Sequence, residues 1–413
     1  MEWGVMREAW PFWRTVPRFD REYSIEDLRS AFVTLWRTPR DETDWIKELY
    51  SASFQQFARS GTECLYTILK LLKLPEKSRV GVPLYCCSAV FEAIVAAGHI
   101  PIFLDIDPES YGLDREFLRK KRNTMDALIL VHVFGYPNDL SVVHDALEGT
   151  NIPVVEDCAH SLYSEYRGRP LGSCTDASFL TFGMHKPAAV GGGALLLVNN
   201  PDLASKAKHA LPRFDAEARV SEFRHSFLCL ARSFSYHRAA YGALLASPIG
   251  NDRDTGKLTP RVGRTDMLAQ SFSPAHIRTV DKVLVARKVQ EFRAKLIVLS
   301  RNTRRICEAL ANSAISVPVE PEYGKWNHFL LPTRFSSPER RESARRFLTQ
   351  RRVDTAPLYQ NCARNAARFG YAGDCLQAER VARTIVTVPN HAWLRDHELD
   401  YIAESLRLSA GQV

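Results

Sequence analysis

Short apolar runs alternate with helical stretches from residue 60 to about residue 200, and this alternation constrains the fold more than any other feature. Several runs, such as ALILVHV and ALLLV, are apolar throughout, as expected for strands covered on both faces. Alternating strands and helices are typical of a mostly parallel sheet between layers of helices. The predicted strands are Arg79–Val82, Ile100–Asp105, Ala127–Val133, Ile152–Asp157, Ala177–Phe182 and Ala194–Val198, and helices are predicted to begin near Thr62, Ser88, Asp114 and Asp139.

The length of the chain, 413 residues, predicts two domains, because single hydrophobic cores stop growing at roughly 250–300 residues. A polar stretch at residues 247–266, SPIGNDRDTGKLTPRVGRTD, is predicted to form a long loop. A long helix over Pro274–Leu310 is predicted to follow, then a strand in NHFLLPTRF and a capped helix in SPERRESARRFLTQRRV. We therefore divide the chain into an N-terminal helical or extended segment at 1–50, a large domain at 51–270, and a long helix with a small α+β domain at 271–413.

Charge and cysteine content argue against several classes of protein. The net charge of +8 is spread along the chain without a continuous basic block, so no nucleic-acid partner is expected. The nine cysteines are odd in number and lack paired C-x-x-C spacing, which indicates reduced thiols in the cytoplasm and no metal site. The first residues lack the apolar core of a signal peptide, and no later stretch is apolar enough to span a membrane. These features predict a cytoplasmic protein without a membrane partner.

The segment VVEDCAHS, residues 154–161, ends an apolar run in two carboxylates. Ligands of open α/β sheets bind beyond the carboxyl ends of the strands, so Asp157 is predicted to face the ligand crevice. A carboxylate there can pair with a protonated pyridine nitrogen and hold a pyridine cofactor as an electron sink. It can also cap the helix that follows, and for an isolated Glu-Asp pair at a strand end the cap is the commoner role.

A lysine lies between two apolar strands in TDASFLTFGMHKPAAVGGGALLLV, residues 175–198. The glycine run after Lys186 lets backbone approach closely, and the amine follows a strand that opens into the crevice. Partial burial and nearby cations depress the pKa of a lysine and free its amine to form a Schiff base. Taken alone, such a lysine is more often a solvated loop residue.

The segment ARSGTECLYTILKLL, residues 58–72, opens an amphipathic helix with Ser60, Gly61 and Thr62. The free N–H groups and the dipole of a helix start attract anions, so a phosphate is predicted to bind at Gly61 and Thr62. An ordinary helix cap explains the same residues equally well.

Together and in this order, these segments resemble the DegT/DnrJ/EryC1/StrS family, the sugar-aminotransferase branch of fold-type-I pyridoxal 5'-phosphate (PLP) enzymes. The likeness is carried by SGTECL, VPLYCCSAVFEAIVAAGHIPIFLDID, VHVFGYPNDL, VVEDCAHS, the spacing D-x4-T-F-x3-K at 176–186, and GGGA. It covers residues 55–200 well and the last third more loosely, through DTAPLY and VTVPNHAWL. The resemblance implies an α/β fold like that of aspartate aminotransferase. In that fold a mostly parallel seven-stranded sheet lies between helices in a PLP-binding large domain, and a smaller α+β domain follows.

The resemblance also implies roles for individual residues. Lys186 would form the Schiff base with PLP and carry protons during catalysis. Asp157 would pair with the pyridine nitrogen, and His160 would lie near the 3'-oxygen of the cofactor. The phosphate-binding positions of the family are matched by Gly61, Thr62 and Thr181.

Three features depart from the family pattern. The G-x-N-x-R segment, which reaches the partner subunit's cofactor in many members, is not recognisable before the long helix. Cys87 holds the place of the aromatic ring that stacks on the pyridine, and a thiol can cover that ring only by dispersion. Tyr85 could supply a ring only if its loop were rotated. The usual Glu-Gly-Gly after the lysine reads Gly191-Gly192-Gly193 and is shorter by about a residue. The cofactor chemistry is therefore better preserved than the usual substrate site.

The family implies a PLP-dependent aminotransferase that moves an amino group from an amino acid, by analogy glutamate, to a keto group. The acceptor would be a nucleotide-linked sugar or a related biosynthetic intermediate. A homodimer with active sites at the subunit interface is expected by the same analogy. Two alternatives stay open: a PLP-dependent sugar dehydratase or lyase, and a PLP-binding regulatory protein without turnover. In a dehydratase subgroup a histidine replaces the lysine, but the spacing from Asp176 places Lys186, and not His185, at that position.

Overall fold

The structure is a computed structural model, and it describes residues 11–34, 36, 43–210, 219–237, 240–243 and 277–411. The loop predicted at residues 247–266 lies outside these ranges, as do the first three residues of the helix predicted from Pro274. Within the described part, no helix is both long and apolar enough to cross a membrane.

All six predicted strands of the large sheet are present, with ends that differ from the prediction by at most two residues. The strands of the described chain are β1 Phe54–Ala58, β2 Arg79–Pro83, β3 Ile100–Leu104, β4 Ala127–Val131, β5 Val154–Asp157, β6 Glu165–Tyr166, β7 Arg169–Pro170, β8 Ala177–Thr181, β9 Ala194–Val198, β10 Gly324–Lys325, β11 Leu331–Arg334 and β12 Ile385–Val388. In NHFLLPTRF only the second half, β11, is a strand.

The large sheet has seven strands in the order β1-β9-β8-β5-β4-β2-β3. The five strands from β8 to β3 run parallel to one another, whereas β9 runs antiparallel to both of its neighbours. Strand β1, FQQFA, was not predicted, because two glutamines interrupt its apolar pattern at the sheet edge. The mostly parallel seven-stranded sheet expected from the resemblance is confirmed.

Strand β4 shows why the central runs are apolar without interruption. Ala127, Ile129 and Val131 pack into a core on one face of the sheet. Leu128 and Leu130 point the opposite way, into a second core that also contains part of the long helix near residue 289. Alternate residues of a strand face opposite sides of its sheet, so a strand between two helical layers needs apolar residues at every position.

Helices pack on both faces of this sheet and build the C-terminal part of the chain. The α-helices of the described residues are α1 Ile25–Thr34, α2 Asp44–Leu49, α3 Gly61–Leu71, α4 Ser88–Ala96, α5 Arg115–Lys121, α6 Leu140–Leu147, α7 Pro201–Ala210, α8 Arg219–Phe234, α9 Thr279–Leu310, α10 Pro338–Gln350, α11 Cys362–Ala366, α12 Leu376–Thr384 and α13 Asp396–Ala410.

Polar side chains cap helices α3, α5, α6 and α10, among others, and these four helices begin where the sequence predicts. The side chains of Ser60, Asp114, Asp139 and Ser337 each accept a hydrogen bond from a backbone N–H in the first turn of their helix. The long helix begins at Thr279, later than predicted, because Arg278 is extended and forms its N-cap.

The N-terminal segment joins the C-terminal part of the chain to the large sheet. Strands β11 and β12 pair antiparallel within the C-terminal core. Val16 forms a parallel bridge with Val353 beside that core. The residues that follow Val16 then run past the turn between β8 and β9, since the backbone N–H of His185 donates a hydrogen bond to Glu22.

Candidate active site

The carboxyl ends of two neighbouring parallel strands, β5 and β8, bring predicted residues to one edge of the sheet. Asp157 is the last residue of β5 and pairs in register with Phe179 of β8. Strand β8 ends at Thr181, and Lys186 lies in the turn that leads to β9. Ligand crevices of open α/β sheets lie beyond such ends, so this edge is the candidate active site.

Lys186 provides an amine in poorly solvated surroundings. Desolvation lowers the pKa of this half-buried lysine from its ordinary value of 10.5, while the charges of Asp157, Cys87 and Glu22 oppose that change. A lower pKa increases the share of neutral amine, which is the nucleophilic form. The direction of this pKa shift favours Schiff-base formation by Lys186.

Asp157 is a buried carboxylate with one oxygen left for a ligand. Burial raises the pKa of its carboxyl above 3.8, and the Ala159 N–H, Lys186 and His132 oppose that rise. Oδ1 accepts a hydrogen bond from the Ala159 N–H at 2.9 Å. Among the described residues, Oδ2 has no hydrogen-bond partner. Asp157 thus caps the following turn through one oxygen and leaves the other able to accept a proton or hydrogen bond.

His160 lies directly beside the lysine. Its Nε2 is 3.0 Å from Lys186 Nζ. Burial, and then the positive charge of Lys186, hold the pKa of the imidazole well below its usual 6.5. The neutral ring can accept a hydrogen bond at Nε2, which orients the amine.

The start of helix α3 lies against the end of β8. A Cβ at Gly61 would lie 3.1 Å from the Phe179 ring and 3.4 Å from the Thr181 Cβ. This close approach favours glycine at position 61 and makes the helix start a neighbour of Thr181. The N–H groups of Gly61 and Thr62 at the helix start and the hydroxyls of Thr62 and Thr181 can together bind a phosphate group.

The first turn of α3 also carries a carboxyl, that of Glu63. Burial raises the pKa of Glu63 to about 7, against the opposing effect of Arg59. A large share of this carboxyl is therefore neutral near pH 7. Its repulsion of an anion at the helix start is correspondingly weak.

Cys87 and two tyrosines occupy the side of the site next to α4. Cys87 is exposed and immediately precedes α4. Tyr85 does not supply a stacking ring, because it is fully buried and its hydroxyl donates to the Leu358 carbonyl at 2.9 Å. Tyr359 packs edge-to-face on Tyr85 with centroids 5.7 Å apart. Burial and then the charges of Cys87 and Asp157 raise the pKa of Tyr359, so this tyrosine of DTAPLY lies near both groups.

The glycine run fixes the backbone between Lys186 and β9. Gly191 and Gly193 have φ of 104° and 91°, where other residues are strained. A Cβ at Gly191 would overlap the Cys229 sulfur, and one at Gly193 would overlap Ile277. The run is thus needed for packing against the helices that follow, independently of any ligand.

A buried hydrogen-bond network lies next to Asp157 on β5. His132 Nε2 is 3.1 Å from Glu156 Oε2, and the carboxylate also accepts bonds from Gly172, Cys174 and Thr175. Among the described residues, the one cluster with the spacing of metal ligands consists of His132, Glu156 and Cys158. Hydrogen bonds within the protein already occupy both carboxylate oxygens, so this network is explained without a metal.

Residues from distant parts of the chain form the walls above Lys186 and belong to no motif used in the prediction. The ring of Phe19 stacks on His185 with centroids 4.4 Å apart. The Tyr236 hydroxyl lies 2.9 Å from His185 Nε2, and Glu22 Oε1 accepts from the His185 N–H at 2.7 Å. These three contacts engage His185, so we assign the catalytic role to Lys186 and not to His185.

The donor set fits PLP. An amine of lowered pKa, a buried carboxylate with an open oxygen, and a helix start beside a threonine are the groups that an aldehyde, a pyridine nitrogen and a phosphate require. They come from three separate elements, α3, β5 and the turn after β8, and meet at one edge of the sheet. No residue of the set conflicts with the cofactor.

Comparison with known proteins finds a similarity between part of this chain and sugar aminotransferases. Residues 47–236 match the DegT/DnrJ/EryC1/StrS aminotransferase family. GDP-perosamine synthase of Escherichia coli O157:H7 is 30% identical over 151 residues, which are 36% of this chain and 42% of the relative. The L-glutamine:scyllo-inosose aminotransferase of Streptomyces griseus is 24% identical over 70% of this chain and 75% of its own length. The chain thus matches less than half the length of the first of these relatives.

Solved structures confirm the fold over nearly the whole chain. The aminotransferase TlmJ from Streptoalloteichus hindustanus superposes with a TM-score of 0.72 at 20% identity, covering 96% of this chain and 99% of that one. Other solved structures of this fold were determined in a PLP form and in a pyridoxamine phosphate (PMP) form. The architecture is that of fold-type-I PLP aminotransferases, and residues 47–236, somewhat less than half of the chain, are similar to the DegT/DnrJ/EryC1/StrS aminotransferase family.

Proposed function

We propose that this protein is a PLP-dependent aminotransferase that transfers an amino group from an amino acid to the keto group of a hydroxylated acceptor. Glutamate is the proposed donor, and a nucleotide-linked sugar or a related cyclic polyol ketone is the proposed acceptor. The names of two relatives, GDP-perosamine synthase and L-glutamine:scyllo-inosose aminotransferase, support this acceptor class.

The observation that carries the proposal is the placement of the Lys186 amine. It lies 3.0 Å from His160 Nε2, and the charge of Asp157 acts on it. Its lowered pKa keeps part of it neutral, and a neutral amine can attack a carbonyl. A solvated loop lysine would have neither the burial nor these neighbours.

When bound, PLP supplies an aldehyde for the lysine and an electron sink for the charge left when the α-proton is removed. Lys186 Nζ would then take a proton from the donor's α-carbon and return it elsewhere. This is general acid–base catalysis, which suits an amine whose pKa is lowered toward neutrality. His160 Nε2 would orient Nζ between these transfers.

Asp157 and the start of α3 would hold the cofactor in place. The open Oδ2 of Asp157 would keep a proton on the ring nitrogen, since a buried carboxylate favours a positive neighbour. The N–H groups of Gly61 and Thr62 and the hydroxyl of Thr181 would bind phosphate. Cys87 would cover one side of the ring by dispersion, more weakly than an aromatic residue.

A single-turnover experiment tests this function without knowledge of the acceptor. Protein loaded with PLP is mixed with L-glutamate, and 2-oxoglutarate is measured. Transamination predicts an amount of 2-oxoglutarate equal to the bound cofactor, and none from the Lys186→Ala variant. Absence of 2-oxoglutarate with glutamate, and of 2-oxoglutaramate with glutamine as the donor, would leave the regulatory alternative in place. Consumption of a keto sugar without any amino donor would favour the dehydratase.

We also infer a homodimer in the cytoplasm. The dimer is inferred from the resemblance to the family, whose members build their active sites at a subunit boundary. All nine cysteines are free thiols, as expected in a reducing compartment. Sedimentation equilibrium tests the dimer, and the monomer mass at micromolar concentration would contradict it.

A further inference from the structure

A pocket opens directly above Lys186, and its walls come from three parts of the chain. The N-terminal segment contributes residues 18–22, helix α9 contributes residues between 288 and 299, and the loop after β12 contributes 390–392. Its empty volume, open solvent included, is about 580 Å³. A substrate that reacts at Lys186 would have to occupy this space.

Glu22 presents one unused carboxylate oxygen in this pocket. Oε1 accepts a hydrogen bond from the His185 N–H at 2.7 Å. The side chain is only 10% exposed, and Oε2 is buried without a hydrogen-bond partner among the described residues. A buried oxygen of this kind destabilises the fold unless a donor reaches it.

Asn390 presents a second unused acceptor in the same pocket. Its Nδ2 donates to the carbonyls of His328 and Leu299, at 2.7 and 3.3 Å, and to the Thr303 hydroxyl at 3.0 Å. These two carbonyls fix the orientation of the amide, because a flipped amide would set Oδ1 against other acceptors. Oδ1 is consequently left buried with no donor from the part of the chain that the structure describes.

The charges of the pocket decide which donors fit. Besides Lys186, four cationic side chains, those of Arg18, Arg21, Lys288 and Lys295, line it against three carboxylates. An ammonium ligand gains no net attraction from such a wall. Hydroxyl groups are neutral donors, and they can satisfy a carboxylate and an amide oxygen equally well.

From these contacts we infer that Glu22 Oε2 and Asn390 Oδ1 bind hydroxyl groups of the keto acceptor and select a polyhydroxylated substrate. The inference rests on the proposed function, which it deepens by naming two specificity-determining residues. Sites that hydrogen-bond a substrate hydroxyl discriminate strongly against analogues without it, because their own polar groups are then left unpaired.

Glu22→Gln tests the inference, because the glutamine keeps the size of the side chain and its bond to His185 but replaces Oε2 with a donor. The matched control is Glu291→Gln in the same pocket, where Lys288 and Arg287 already contact the two oxygens. The probes are GDP-mannose and scyllo-inositol, which represent the acceptor classes of the two relatives. Their Kd is measured by calorimetry with PLP-loaded protein.

We expect at least one hydroxylated probe to bind the wild type and the Glu291→Gln protein with similar Kd. Glu22→Gln should raise that Kd about tenfold or more, because a hydrogen bond to a charged acceptor is lost. Equal affinity of Glu22→Gln and the wild type for the hydroxylated probe, or no binding of either probe to the wild type, would overturn the inference. Such binding results would not contradict the proposed aminotransferase function if the wild-type protein still converts glutamate to 2-oxoglutarate. Failure of that reaction as well would count against both.

Discussion

Nζ of Lys186 lies 3.0 Å from Nε2 of His160, a buried imidazole whose pKa stays well below 6.5. His160→Ala removes the acceptor that orients the amine. We expect kcat/KM to fall by about tenfold, since one hydrogen bond in a buried site is lost. His160→Gln, which can offer an acceptor oxygen, should recover most of the activity. Equal loss in both variants would indicate that the imidazole does more than orient Lys186.

Asp157→Asn separates charge from shape at the end of β5. The amide oxygen can still accept the hydrogen bond of the Ala159 N–H, but the negative charge is lost. We expect the affinity for PLP to fall by about 10²–10³-fold, the size of effect seen when one partner of a buried ion pair is removed. Fluorescence titration with PLP measures the change.

Glu156→Gln is the matched control for Asp157, since it lies beside Asp157 on the same strand. Its oxygens are used by His132, Gly172, Cys174 and Thr175. We expect the free energy of unfolding to fall by about 1–3 kcal/mol while the affinity for PLP stays the same. A large loss of cofactor affinity in this variant would mean that the network, and not Asp157 itself, carries the effect.

Sequence patterns predicted the strands, the helix caps and the position of Lys186, because these depend on local periodicity and spacing. They did not predict β1, whose glutamines at the sheet edge break the apolar pattern. Glu22 and Asn390 could not be predicted to share a pocket, since 368 positions separate them and only tertiary packing brings them together. Tyr359 lay in a recognised segment, DTAPLY, yet its place beside Cys87 depends on how the C-terminal part packs on the sheet.

Gly191→Ala tests the structural role of the glycine run. The backbone there has φ of 104°, and a Cβ would overlap the Cys229 sulfur. We expect a loss of about 2–4 kcal/mol in the free energy of unfolding, from backbone strain together with overpacking. The control is Gly149→Ala. Gly149 has φ of 75°, but no atom lies near the position of an added Cβ. Backbone strain alone should therefore lower the free energy of unfolding of this variant by about 1–2 kcal/mol. Equal losses would show that the Cys229 contact is readily relieved.

The ion pair of His225 and Asp281 should make stability depend on pH. Burial lowers the pKa of His225, but the hydrogen bonds and charges of Asp281 and Cys229 outweigh it and raise the value to about 9. The folded value exceeds the unfolded 6.5, so the pair stabilises the protein fully below that pH and loses its effect as pH rises toward 9. The contribution is of the order of 3 kcal/mol. Denaturation midpoints measured across this range should fall in wild type and stay flatter in His225→Gln.

The residue that PLP modifies can be identified directly. Protein incubated with PLP is reduced with borohydride, digested, and mapped by mass spectrometry. We expect one stoichiometric pyridoxyl group on Lys186 and none in Lys186→Arg. No modification, or modification spread over other lysines with Lys186 untouched, would contradict this assignment.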